Sequence, residues 1–82
     1  MNKRKLFMAI SNSQKNVKYN DFVALIEAFG FEHERTNGSH NFYAHDGIMC
    51  TLNIQNSKGE AKPYQIRDFL KIVKECGLEL ED

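Results

Sequence analysis

The chain has 82 residues, 41% of them apolar, and its eleven basic and eleven acidic side chains give a net charge of zero. That length allows one domain whose core lies near the lower limit for folding without disulfides or metals. Zero net charge argues against function through bulk charge alone. Five basic residues against two acids between Lys58 and Lys74 still leave room for a local basic stripe.

Two cysteines, Cys50 and Cys76, stand far apart in apolar surroundings and form no CxxC pair, so they are expected as buried thiols rather than a disulfide. The basic start MNKRK is followed by an apolar run, Leu6 to Ile10, too short for the hydrophobic region of a signal peptide. No stretch approaches the roughly 20 apolar residues of a membrane span. A soluble, cytoplasmic protein with no membrane association is the expectation.

In chain order, residues 3–11 read as a short helix with Leu6, Phe7 and Ile10 on one side, followed by a polar loop. Asn20 is a good N-cap, and Phe22, Leu25, Ile26 and Phe29 form the apolar stripe of a second helix that Gly30 stops. A first strand runs from Phe31 to Thr36, and Asn37-Gly38 is a two-residue hairpin signal. A second strand spans Ser39 to Ala44, and a turn falls at His45-Asp46-Gly47. A third strand, Ile48 to Ile54, would place Ile48, Cys50, Leu52 and Ile54 on one face. After a polar loop, Pro63 suits the first turn of a last helix, whose stripe is Ile66, Phe69, Leu70 and Val73 and which Gly77 ends.

The expected fold is α+β. A three-stranded antiparallel sheet is covered on one face by helices, in the α-β-β-β-α order of double-stranded-RNA-binding domains, with an extra N-terminal helix. Residues 1–16 form the extension, 17–78 the core and 79–82 an acidic tail, all in one domain.

No metal motif is present, because His33, His40 and His45 lack helical spacing and the cysteines do not cluster with them. Metal-free RNA cleavage needs a group that moves a proton near neutral pH, which histidine can do. His40 follows a tight turn at the start of a strand, where a ring is held rigidly yet remains accessible. Two readings are open: a proton-transfer group, or a hairpin histidine making one backbone hydrogen bond. His45 is expected in solvent, and His33 without a role. Tyr43 shares parity with Ser39 and Asn41 on the face opposite the helices, where it could stack on a base or simply cover the sheet. Arg67, Lys71 and Lys74 share one helix face, able to track phosphates or to be ordinary solvated charge.

Three segments together, LIEAFGFEHER, GSHNFYAHDG and AKPYQIRDFLKIVKECGL, resemble the HicA family of type II toxin–antitoxin systems over roughly residues 17–78. The resemblance implies a double-stranded-RNA-binding-like fold and an mRNA endoribonuclease that needs no metal or small-molecule cofactor. It also implies inhibition by a cognate HicB-like antitoxin. The family's histidine falls on His40, with Gly38 and Ser39 as its positioning turn and Tyr43, Lys62, Arg67, Lys71 and Lys74 as candidate RNA contacts. The chain departs from many members of the family in having Asn41 where they carry a second histidine, and Asn53 and Gln55 where they carry a proline and a histidine late in the third strand. A non-catalytic RNA- or protein-binding module of the same fold is the alternative.

Overall fold

A computed structural model describes residues 2–81; Met1 and Asp82, the last residue of the expected acidic tail, lie outside the described residues. The first helix, α1, spans Lys3–Asn12, and the Asn2 side chain caps it by accepting from the backbone N–H groups of Arg4 and Lys5 at 2.8 and 3.3 Å. Its Leu6 and Ile10 are buried, and the Phe7 ring packs 5.0 Å from that of Phe29.

The second helix, α2, spans Tyr19–Ala28, so Asn20 lies inside it rather than capping it. Lys18 occupies the cap position without a side-chain cap bond. The start is set instead by pairing with a distant segment: Tyr19 N–H donates to Gly59 O and Ala61 N–H to Val17 O, each at 2.9 Å. The end follows the sequence expectation. Gly30, at φ 96°, donates to Glu27 O while Phe31 N–H reaches Ile26 O, the paired bonds of a Schellman close.

Four strands follow, β1 (Glu32–Asn37), β2 (His40–Ala44), β3 (Thr51–Ser57) and β4 (Glu60–Ala61), then α3 (Pro63–Cys76). The sheet order is β1-β2-β3-β4, all neighbours antiparallel. The α+β class and the α-β-β-β-α order are as expected, but the sheet has four strands, not three. The extra strand is two residues long and hides in the polar loop. Lys58 and Gly59, at φ 54° and 88°, make the hairpin turn that joins it to β3.

The start of β3 also differs. It begins at Thr51 and not Ile48, so of the expected apolar face only Leu52 and Ile54 are buried from the strand, while Ile48 packs against the core from the preceding loop. Cys50 precedes the strand, escapes its alternation and is exposed, and Cys76 at the end of α3 is exposed too. Neither is the buried thiol expected of it.

The core lies between the sheet and the helices. Phe69 on α3 is fully buried, with its ring edge-on to those of Phe22 and Phe29 at 5.6 and 5.4 Å. Burying such a side chain contributes about 1.5–3 kcal/mol relative to leaving it in water. Gln65 is the one buried polar side chain among the described residues; its Oε1 accepts from Gln55 N–H at 3.1 Å, fastening α3 to the outer side of β3.

Candidate functional site

The turn before His40 decides which way its ring faces. Asn37 pairs with His40 across β1 and β2, so the two loop residues are Gly38 and Ser39, one position later than the Asn-Gly signal suggested. Gly38 takes φ 63°, as a glycine-first hairpin turn requires. His40 is thereby the first residue of β2, held in the ladder opposite Gln55 of β3.

From that register the two faces separate. Tyr43, opposite Leu52, and Asn41, opposite Ile54, lie on the face packed against the helices. His40 and Phe42, with Asn53 and Gln55 beside them on β3, lie on the open face. A side-chain period of two makes this assignment all or none along the strand.

On the open face, His40 Nδ1 lies 3.0 Å from Asn53 Oδ1. Asn53 sits opposite Phe42 and so reaches His40 diagonally across the ladder. Beside it, Gln55 Nε2 donates to Ser39 Oγ at 3.0 Å. The two amides of β3 therefore hold successive residues of the turn and strand start. The Arg35 guanidinium carbon lies 4.1 Å from the centre of the Phe42 ring, a cation–π contact on the same face.

Tyr43 is not where the sequence put it. It is 7% exposed and belongs to the core, because the strand turns its Asn41/Tyr43 side, not its Phe42 side, toward α2. Burial raises its phenol above the ordinary value, with nearby Tyr19 and Glu27 adding to the effect. It offers no open ring to a base. Asn41 joins a polar chain that runs from α2 out to the exposed edge strand β1. Its Nδ2 donates to Tyr19 Oη, its Oδ1 accepts from Thr36 Oγ1, and Thr36 Oγ1 in turn meets His33 Nε2, each at 2.8 Å. Thr36 spends its only hydroxyl proton on Asn41, which makes His33 Nε2 the donor in the last contact.

His45 is not free in solvent either. It is partly buried, its ring packs 5.1 Å from that of Phe31, and its Nδ1 accepts from Gly47 N–H at 2.8 Å. His40 is thus the one histidine on the open face of β2.

The basic residues are only partly brought to this site. Lys62 caps α3, while Arg67, Lys71 and Lys74 are exposed along it. Lys71 lines an open groove between β3 and α3 that Asn53 also lines, together with Tyr64 and the acids Asp68 and Glu75. Arg67 and Lys74 do not line that groove. Among the described residues, no group of three or more His, Cys, Asp or Glu side chains could hold a metal ion. Nor is any helix long and apolar enough to cross a membrane.

The residues that sequence reasoning missed as participants are Asn53, Gln55, Arg35 and Phe42. For Phe42, Asn53 and Gln55 the signal was present in the alternation of β2 and β3 but needed the register to place them on the His40 face. Arg35 reaches Phe42 from β1 just past an irregularity in that strand's pairing. The family model described as HicA toxin of bacterial toxin-antitoxin matches residues 19–78, from the first residue of α2 to just beyond α3. The chain belongs to the HicA toxin family. Comparison with curated proteins and with solved structures gives no significant match. In this HicA chain α1 lies wholly outside the matched region, and all four strands lie within it.

Proposed function

We propose that this chain is the toxin of a toxin–antitoxin pair and acts as an mRNA endoribonuclease in which His40 moves the proton. The observation that carries the reading is the setting of His40 at a two-residue turn on the uncovered sheet face, one ring nitrogen held by Asn53. Family membership supports the toxin role.

In the reaction proposed, an imidazole nitrogen takes the proton of a ribose 2′-hydroxyl. The 2′ oxygen bonds to the adjacent phosphorus, and the bond from phosphorus to the 5′ oxygen breaks. That oxygen takes its proton from water, leaving a 2′,3′-cyclic phosphate and a 5′-hydroxyl end. Gly38 and Ser39 position the ring, and Lys62, Arg67, Lys71 and Lys74 hold phosphates of the RNA. Tyr43, being buried, has no part. No metal or organic cofactor enters this scheme. A HicB-like antitoxin would inhibit by covering the open face around His40.

The test is incubation of an mRNA transcript with the purified chain in the presence of EDTA. Wild type is expected to cut it and His40→Ala, shown folded by circular dichroism, to leave it intact. A folded His40→Ala variant that still cuts RNA or stops growth removes His40 from the reaction. Salt-sensitive retention of RNA by the wild type without cleavage would favour a binding module instead.

A further inference from the structure

We propose that Asn53 is the positioning residue of His40, fixing the imidazole as the tautomer protonated on Nδ1 and so keeping the Nε2 lone pair available to take a proton. The inference rests on the reading of His40 as the proton-transfer group, and it says which of the two ring nitrogens acts.

Neutral imidazole carries one proton on one of two nitrogens, and the hydrogen bond made by one nitrogen decides the state of the other. A side-chain amide oxygen only accepts. With Asn53 Oδ1 3.0 Å from His40 Nδ1, the ring must carry its proton on Nδ1. Nε2 makes no hydrogen bond among the described residues, so its lone pair is unengaged on the open face. Without such a partner, histidine in water favours the proton on Nε2, which would leave the outer nitrogen without a lone pair to act as a base.

Asn53 can do this because of its place in the ladder. It stands two residues before Gln55, the direct partner of His40, and both side chains project on the open face. Pairing with β1 and β3 fixes the His40 backbone and pairing with β2 fixes that of Asn53, so only side-chain torsions remain to be set. Gln55 independently holds Ser39, which means that removing the Asn53 side chain frees the ring without releasing the turn.

The two effects are separable by experiment. The first readout is the long-range proton–nitrogen correlation spectrum of the chain with 15N-labelled histidine, recorded where the ring is neutral, with the His40 signals assigned by their absence in His40→Gln. Wild type should show the Nδ1-protonated form. Asn53→Ala should shift His40 toward the Nε2-protonated form while leaving the His33 and His45 signals in place.

The second readout is RNA cleavage. Asn53→Ala should lower kcat by about 10- to 100-fold, the usual cost of losing an orienting partner, with KM little changed. Asn53→Asp keeps an acceptor at the same reach and should restore the Nδ1-protonated form. An Nε2-protonated ring in the wild type overturns the proposal, since it would mean that the amide offers its NH2 group to the ring. So does a tautomer that Asn53→Ala leaves unchanged. An Nδ1-protonated ring in a wild-type chain that cuts no RNA upholds the tautomer assignment but overturns the catalytic reading on which the positioning role rests.

Discussion

Asn41 and Tyr19 join the sheet to α2 through a 2.8 Å hydrogen bond on the face opposite His40. The neighbour of the proposed proton-transfer residue therefore belongs to the scaffold. The residue next to His40 is thus directed away from the open face.

Removing that bond should affect stability and not chemistry. Tyr19→Phe is expected to lower the unfolding free energy by about 1 kcal/mol, the net worth of a partly buried neutral hydrogen bond, as read by urea denaturation. Its cleavage rate should equal that of wild type at a temperature where both are folded. A loss of cleavage as large as that of Asn53→Ala would place the covered face inside the machinery.

The salt dependence of RNA binding tests the α3 cations one at a time. If Lys71 contacts a phosphate, Lys71→Ala should reduce the slope of log affinity against log salt by about 0.7 for single-stranded RNA, and Arg67→Ala and Lys74→Ala should do likewise. Binding to a catalytically silent His40→Ala protein, titrated between low and moderate salt, measures each slope. A slope unchanged by all three substitutions assigns the stripe to plain solvation.

High pH should destabilise the protein through Tyr43. Burial raises its pKa in the folded chain above the unfolded value, ordinarily about 10. The folded state thus retains the proton where the unfolded state releases it. The stability that this contributes is full below about pH 10 and is lost as pH rises through the folded value. Tyr43→Phe has no hydroxyl to ionise, so its unfolding free energy should fall less steeply above pH 10 while matching wild type near neutrality. Tyr19, raised by burial against the lowering effect of its Asn41 bond, leaves a smaller residual dependence in that variant. Parallel alkaline losses in the two proteins would contradict this account.

The helices were legible because their apolar stripes and glycine stops are local signals, as Phe22, Leu25 and Ile26 on α2 and Gly30 beyond it show. The start of α2 was not, because the pairing of Val17 and Tyr19 with the β4 hairpin overrides the capping preference of Asn20. The place of His40 beside a tight turn could be read from the sequence, and the family resemblance singled it out among the histidines, but its partner could not be read. Asn53 and His40 meet only through the register of β2 against β3, which the misplaced start of β3 at Ile48 left undetermined. Tyr43 failed for a related reason: aromatic residues stand side by side at positions 42 and 43, and alternation alone does not say which of them faces the helices.

The bridge between Lys18 and Glu60 joins positions about forty residues apart in the chain. Closing so long a loop costs entropy before any contact repays it. During synthesis the first two helices emerge well before the segment that fixes where the second one begins. Until Ala61 has been added, the stretch from Val17 to Tyr19 has no strand to pair with, so its native register waits on residues about forty positions further along the chain.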